Sequence, residues 1–186
     1  MTQNLMIFSH PNIAASIANI NIINNLKQHM PDIKIHHLDK LYPNFRDLDI
    51  DAEQGALIHA KNIVLQFPFQ WYSSPPALKN YLDLVLTYNF AYGPNGDKLK
   101  NKNLIVSITT GGPKEAYNAL GYNHFKIDDF LLPFEQTAYL CGMNYQTPII
   151  SHNCSYQPEI KDSLDQIHAI TKQHAILLKQ SLDKLI

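Results

Sequence analysis

The sequence is poor in cysteine and has almost no net charge. Its two cysteines, Cys141 and Cys154, lack the Cys-x-x-Cys spacing of a zinc site or a redox dithiol, so we expect two free thiols. Fifteen basic and sixteen acidic residues leave a formal charge of −1, which gives no electrostatic reason to expect nucleic acid or an anionic membrane as the main partner. A small, nearly neutral ligand fits this composition better.

Long hydrophobic runs and several familiar motifs are also absent. No apolar run approaches the roughly 20 residues that span a bilayer, and the amino terminus lacks the basic and apolar segments of a signal peptide, so we expect a cytoplasmic protein. Neither Gly-x-x-x-x-Gly-Lys-Ser/Thr nor Gly-x-Gly-x-x-Gly occurs, which argues against a P-loop and a Rossmann dinucleotide clamp. The Gly-x-Ser-x-Gly elbow of α/β-hydrolases is missing as well.

The nine histidines do not form a metal-binding pattern. His36 and His37 are consecutive in a predicted strand, so their side chains point to opposite faces. His152 and Cys154 lack an evident third ligand, and a structural or catalytic metal site needs at least three protein ligands. No metal is expected.

The chain predicts one domain over residues 1–186, because 186 residues with 45% hydrophobic composition suffice for one core. Apolar runs alternate with helical patterns, which predicts parallel βαβ units with helices on both faces of a sheet. The predicted strands are Leu5–Phe8, Lys34–Leu38, Asn62–Phe67, Asn103–Ile108 and Asn144–Ile150. The predicted helices are an amphipathic segment with an apolar stripe at Ile13, Ile17, Ile20, Ile23 and Leu26, then Asp51–Ala60, Pro75–Thr87 and Pro158–Leu185.

Five strands in a domain of this length fit the flavodoxin-like order 2-1-3-4-5, whose switch point lies between the first and third strands. The loops after strands one, three and four should then carry the chemistry, and those after strands two and five should be plainer. Ser9–Asn19, after strand one, leads into a helix start whose free N–H groups can hold a phosphate without a lysine. The alternative is that Ser16 or Asn12 only caps the helix.

The other two loops contain flat side chains and glycines. Pro68 ends the third strand and is followed by Gln70, Trp71 and Tyr72, whose rings are suited to cover a flat ligand, although Trp71 is alternatively a core aromatic. After strand four, Gly111-Gly112 lets the backbone approach a ligand, or is simply a turn.

These segments together resemble the flavodoxin-like NAD(P)H:quinone oxidoreductase family. The resemblance extends over about three quarters of the chain and is closest to the short bacterial members, which include the flavin-binding ancillary proteins of glutathione-gated potassium efflux systems. The motifs that carry it are Ser9-His10-Pro11, Ser16–Asn19, Phe67-Pro68-Phe69-Gln70-Trp71-Tyr72, Pro76-x-Leu78-Lys79, Asp83, Phe90-Ala91-Tyr92, Thr109-Thr110-Gly111-Gly112 and Leu140-Cys141-Gly142-Met143.

The resemblance implies a bound flavin, FMN or alternatively FAD, with NAD(P)H as co-substrate. It places the flavin phosphate near His10, Ser16, Ile17, Ala18 and Asn19. It places the isoalloxazine ring against two segments and one further side chain: Pro68, Phe69, Gln70, Trp71 and Tyr72; Thr109, Thr110, Gly111 and Gly112; and Tyr117. The family's catalytic Tyr falls on Tyr117, and its His falls on Asn123, with His124 one residue later.

The implied reaction is a ping-pong, two-electron (hydride) transfer from NAD(P)H through the flavin to a quinone or a similar acceptor. The alternative is a flavin-bound regulatory subunit of a potassium efflux transporter, which would bring the protein to the inner membrane through that partner. The resemblance also implies a homodimer, for which the aromatics Tyr88, Phe90, Tyr92 and Phe125 offer a surface, or else a satellite core under a long loop.

Overall fold

The computed structural model describes residues 3–44 and 47–185 and contains one parallel sheet. Its strands are β1 (Asn4–Phe8), β2 (Lys34–His37), β3 (Asn62–Pro68), β4 (Asn103–Thr109), β5 (Asn144–Tyr145) and β6 (Ile149–Ser151). The order is β2-β1-β3-β4-β5, with β6 also paired to β4, so the flavodoxin-like order 2-1-3-4-5 is confirmed. The predicted strand Asn144–Ile150 is instead two short segments, and Pro148, which has no N–H for the ladder, lies between them.

Six helices accompany the strands among the described residues, and the last of them follows β6. They are α1 (Ala18–His29), α2 (Leu38–Leu41), α3 (Ile50–His59), α4 (Pro76–Val85), α5 (Ile127–Leu140) and α6 (Ser163–Asp183), with 3₁₀ turns at Ile13–Ala15 and Lys114–Ala116. None of the described helices is long and apolar enough to cross a membrane.

The sequence analysis missed α5 and placed two helix starts too early. Pro133 lies inside α5 and removes one backbone hydrogen bond, which disguises the helical pattern of the buried residues Ile127, Leu131, Phe134 and Ala138. The first helix begins at Ala18, so its buried face is Ala18, Asn19, Ile22 and Leu26 rather than the predicted isoleucine stripe. The last helix begins at Ser163, after Asp162 in a left-handed conformation, and not at Pro158.

Two hydrophobic layers lie on opposite faces of the sheet, as its alternating side chains require. On β1, Leu5 and Ile7 face a layer that includes residues of α4 and α5, while Met6 and Phe8 face a layer that includes residues of α1 and α6. The central strands β3 and β4 are buried along their whole length. The helices therefore cover both faces and leave the ends of the strands for polar groups.

An asparagine begins each of the four strands β1, β3, β4 and β5, and these residues pair across the sheet. The Asn62 side-chain amide donates to Asn4 Oδ1 at 2.8 Å, and the Asn103 amide donates to Asn62 Oδ1 at 2.7 Å. The Asn144 amide reaches Asn103 Oδ1 at 3.5 Å. This asparagine ladder satisfies buried amides at the amino ends of the strands.

Candidate functional site

The carboxyl ends of β1, β3 and β4 open into one cleft of about 420 Å³. Its lining includes most of the residues that the resemblance assigns to a flavin, together with residues after β6: His10, Ala15, Ser16, Ile17, Ala18, Asn19, Pro68, Phe69, Gln70, Thr109, Thr110, Gly111, Cys154, Ser155 and Tyr156. No lysine, arginine or carboxylate is among these lining residues. The three predicted loops therefore meet, and the cleft offers hydrogen-bond donors without charged side chains.

The loop after β1 is fixed by Asp39, which lies in α2. The Ser9 hydroxyl and the His10 backbone N–H both donate to Asp39 Oδ2, at 2.9 and 2.8 Å. Burial lowers the pKa of His10 although Asp39 opposes this, and His10 Nδ1 accepts from the Asn12 N–H at 3.1 Å. A neutral imidazole therefore stands at the mouth of the cleft.

The start of α1 combines capping with free donors. Ser16 Oγ accepts from the Asn19 N–H at 3.2 Å, so Ser16 caps the helix as the simpler interpretation proposed. The backbone N–H groups of Ile17 and Ala18 have no acceptor among the bonds of the described residues. The helix start thus presents two N–H groups and the positive end of its dipole to the cleft.

The loop after β3 is a tight turn closed by reciprocal backbone bonds between Gln70 and Ser73, at 3.1 and 3.0 Å. Its central residues Trp71 and Tyr72 both have positive φ, 48° and 61°, a conformation that costs most side chains energy. The Trp71 side chain is 93% exposed and does not line the cleft, so the interpretation of Trp71 as a core aromatic is wrong. Of this loop, Pro68, Phe69 and Gln70 line the cleft, whereas Trp71 and Tyr72 do not.

Tyr72 points away from the cleft and joins an aromatic cluster. Its ring stacks on Phe130 with centroids 5.3 Å apart, and its hydroxyl donates to Asn123 Oδ1 at 3.3 Å. The buried Asn123 is thereby bound to the turn after β3, whereas His124 is exposed and has a φ of 61°. Neither residue lines the cleft.

The loop after β4 is shaped by Thr110 and the two glycines. The Thr110 hydroxyl donates to the Gly112 carbonyl at 3.0 Å, and the Thr110 N–H donates to the Ser151 carbonyl at 2.8 Å. The N–H groups of Gly111 and Gly112 have no acceptor among the described residues. A Cβ on Gly112 would lie 2.5 Å from Tyr122 Oη. Only a glycine therefore fits at this position without a shift of Tyr122.

Tyr117 lies beside the cleft and is half-buried. Its ring centroid is 6.3 Å from that of Phe69 and 5.5 Å from the imidazole of His152. Burial raises the pKa of Tyr117. Tyr117 and His152 form part of the lining of a second, neighbouring depression.

The expectation that the loops after strands two and five are plain is wrong. Asp39 follows β2 and fixes the loop after β1, and residues 152–156 follow β6 and line the cleft or contact the residues beside it. The Asn153 and Cys154 N–H groups donate to the Gly112 and Thr110 carbonyls, at 3.1 and 2.9 Å. These are contacts between distant segments, and no local motif in the sequence signals them.

His152 is the clearest functional candidate that the sequence analysis did not assign to the site. Its Nδ1 lies 3.0 Å from Thr110 Oγ1. Because the Thr110 hydroxyl already donates to Gly112, His152 Nδ1 must be the donor in this bond. Burial lowers the pKa of His152, and Lys114 lowers it further, which favours a neutral ring.

The donor set of the cleft suits a flavin mononucleotide. Free N–H groups at Ile17 and Ala18 match a phosphate, and those at Gly111 and Gly112 match the polar edge of a flat ring. Pro68 and Phe69 supply an apolar wall between them. Among residues 3–44 and 47–185, no three His, Cys, Asp or Glu side chains are grouped so that they could hold a metal ion.

Comparison with known proteins agrees with this geometry. Residues 2–175 match a family model described as having a flavodoxin-like fold. The crystal structure of general stress protein 14 from Treponema denticola in complex with FMN superimposes with a TM-score of 0.87 at 30% identity, covering 99% of both chains. A structure described as an NADPH-quinone reductase from P. pentosaceus gives a TM-score of 0.76 at 28% identity, over 93% of this chain and 97% of that one.

The chain is also similar to an ancillary protein of a potassium efflux system. The glutathione-regulated potassium-efflux system ancillary protein KefG of Cronobacter sakazakii is 40% identical over 146 residues, which is 78% of this chain and 78% of the relative. The comparisons therefore include both a reductase and an ancillary protein.

Proposed function

The chain belongs to the family with the flavodoxin-like fold that its residues 2–175 match, and from that premise we propose that it is an FMN-dependent NAD(P)H:quinone oxidoreductase. One observation carries the proposal: free backbone donors of the loops after β1 and β4 flank an uncharged cleft at the switch point of the sheet. The similarity to a structure that contains FMN and to one described as an NADPH-quinone reductase supports it.

When bound, FMN supplies two-electron transfer between NAD(P)H and the acceptor. The N–H groups of Ile17 and Ala18 would hold its phosphate, with the start of α1 adding its dipole. Pro68 and Phe69 would support the ring, and the fixed N–H groups of Gly111 and Gly112 would favour negative charge at its edge without having to reorganise. One open side for both substrates gives ping-pong kinetics.

Absorbance spectroscopy of the purified protein tests the function. We expect the protein to bind FMN, to lose the visible flavin absorbance when NADH or NADPH is added without oxygen, and to regain it with a quinone. Acid release of the cofactor followed by mass spectrometry distinguishes FMN from FAD. A protein that binds neither flavin contradicts the proposal.

A second candidate, supported by the 40% identity to KefG, is a flavin-bound ancillary subunit of a potassium efflux transporter. Such a subunit is a cytoplasmic protein that reaches the inner membrane through its partner. The same absorbance experiment separates the two functions. Bound FMN that NADH and NADPH leave oxidised, together with binding to the purified transporter in detergent, favours the ancillary subunit.

We also propose that a second copy of the chain covers an aromatic surface beside the cleft. Tyr88 and Phe125 are each 60% exposed and Tyr92 is partly exposed, so three of the four expected aromatics are available. Phe90 is not, because it is buried in the main hydrophobic layer. Sedimentation velocity should give a dimer that Phe125→Glu converts to a monomer, whereas a monomeric wild-type protein contradicts the interface.

A further inference from the structure

A chain of buried polar side chains runs from the last helix to the cleft. It runs along one face of the sheet, past β6, β4 and β3, and its last two members line the cleft. Each of its members is at most 8% exposed. In order, they are Ser151, His174, Ser107, Gln66, Asn19 and Thr109.

The links in this chain are short. His174 lies 2.8 Å from Ser151 Oγ through Nδ1 and 2.7 Å from Ser107 Oγ through Nε2. The Ser107 hydroxyl donates to Gln66 Oε1 at 2.6 Å. On the far side of Gln66, its amide donates to Asn19 Oδ1 at 2.9 Å, and the Asn19 amide donates to Thr109 Oγ1 at 3.1 Å.

The orientations of the two amides give the whole chain one direction. Because the single proton of Ser107 is donated to Gln66, Ser107 must accept from His174, which places the ring proton on Nε2. His174 Nδ1 then accepts the proton of Ser151. Burial lowers the pKa of His174 to about 3, so the ring is neutral and carries this one proton.

At the other end, the Thr109 hydroxyl is left with a proton to donate. Its oxygen accepts from Asn19, and the described residues offer no acceptor for its own proton. Thr109 lines the cleft, so that proton is available to a ligand there. An isolated hydroxyl can either donate or accept, whereas this one is held as a donor and is polarised by the bonds behind it.

We propose that Thr109 donates a hydrogen bond to the ligand of the cleft, and that Gln66, Ser107 and His174 are positioning residues that hold it as a donor. The identification of that ligand as FMN rests on the proposed function. The chain also connects the phosphate end of the cleft to the ring end, because Asn19 lies in the first turn of α1 and Thr109 ends β4. A ring that gains negative charge on taking up electrons is favoured in its reduced form by such a donor.

The two-electron midpoint potential of bound FMN tests the donor. Thr109→Val removes the hydroxyl and keeps nearly the same side-chain shape. We expect the preference of the site for reduced over oxidised FMN to fall about tenfold, which corresponds to a midpoint potential ~30 mV lower. Thr109→Ser keeps the hydroxyl and should keep the wild-type potential. Equal potentials in the wild-type protein and both variants overturn the proposal.

A second pair of variants tests the interior of the hydrogen-bonded chain of side chains. Ser107→Ala breaks the chain between His174 and Gln66, and we expect the potential to shift in the same direction by about a threefold change in preference. Ser163→Ala removes a buried serine of α6 that lies outside the chain and bonds only the Gln157 N–H. This control should leave the potential unchanged. A shift in the control equal to that in Ser107→Ala assigns the effect to general loosening and contradicts the positioning role.

Nitrogen NMR of ¹⁵N-histidine-labelled wild-type protein tests the direction of the chain without any substitution. We expect the proton of His174 on Nε2, and a proton on Nδ1 means that the chain runs the other way, which overturns the proposal. This measurement does not need cofactor. Failure of the wild-type protein to bind FMN contradicts the proposed function, while the His174 tautomer still tests the inference.

Discussion

Single residues in unusual backbone conformations shape the mouth of the cleft. Trp71 and Tyr72 form the centre of the turn after β3 with positive φ, a region that residues other than glycine and asparagine enter at a cost of roughly 1–2 kcal/mol. Strain of this kind persists where the surrounding structure holds it in place. Here the reciprocal bonds of Gln70 and Ser73 hold it.

A substitution of Trp71 tests the role of its indole while preserving the backbone of the turn. Trp71→Asn keeps a residue that tolerates left-handed φ, so the turn and its N–H groups should remain. Because the indole is 93% exposed, we expect the FMN dissociation constant, measured by quenching of flavin fluorescence, to change by less than about threefold. A loss of affinity greater than about tenfold would instead assign the indole to the flavin platform.

Two histidines near the site make opposite predictions. His152 donates to Thr110, whereas His124 is exposed and lies outside the cleft. His152→Phe keeps a ring beside Tyr117 but removes the donor, and the loss of one hydrogen bond, about 1 kcal/mol, should weaken FMN binding about fivefold. His124→Phe is the control and should bind FMN like the wild type. Comparable losses in both variants would return the imidazole role to His124.

At the scale of single elements, the sequence predicts most strands because apolar β-branched runs are short and unbroken. It does not reveal α5, because Pro133 breaks the helical pattern, nor the division of the edge strand around Pro148. The helix α1 starts next to the bond from the Asn19 N–H to Ser16 Oγ, and its buried face contains Ile22 beside the predicted Leu26, while the predicted Ile20 is exposed. Caps and prolines, more than hydrophobic periodicity, determine these details.

The asparagine ladder gives an element-scale prediction with a defined pH dependence. Asn62→Asp places a carboxyl where Asn62 is fully buried, so the folded-state pKa of that carboxyl rises above its unfolded value of about 3.9. Between pH ~4 and that raised pKa, the folded protein binds more protons than the unfolded chain, so the variant should lose about 1.4 kcal/mol of stability per pH unit. Urea unfolding from pH 4 to pH 7 measures this slope.

The exposed end of the ladder supplies the matched control. Asn144→Asp should show little pH dependence relative to the wild type, because water can solvate its carboxylate. If Asn62→Asp behaves like Asn144→Asp, the ladder does not exclude water.

For the molecule as a whole, the alternation of elements predicts the sheet order, and the sheet order predicts where the three loops meet. The contributions of Asp39 and His152 are not predicted, because they come from segments far away in sequence that no local pattern connects to the cleft. The same holds for the partnership of Gln66 with His174 through Ser107. Sequence patterns predict the order of backbone elements more readily than they predict contacts between polar side chains.

The burial of His174 should make the free energy of unfolding depend on pH under acidic conditions. Its folded pKa of about 3 lies below the ordinary value of 6.5, so between these values the unfolded chain binds the extra proton. Stability from this group is therefore complete above pH ~6.5 and falls as the pH decreases toward 3, by about 1.4 kcal/mol per unit. In His174→Gln, the free energy of unfolding measured with denaturant between pH 4 and pH 6 should lack this pH dependence. If its slope against pH equals that of the wild type, His174 is accessible to water.

The position of His174 near the end of the chain has a consequence for how the protein is made. The loops after β1, β3 and β4 are synthesised before α6, but the hydroxyls of Ser107 and Ser151 obtain their partner His174 only when α6 emerges. Before that moment a nascent chain has an uncovered sheet face and two hydroxyls without their final partner, features that favour aggregation. Synthesis of α6 therefore both covers this face of the sheet and completes the polar chain behind the cleft.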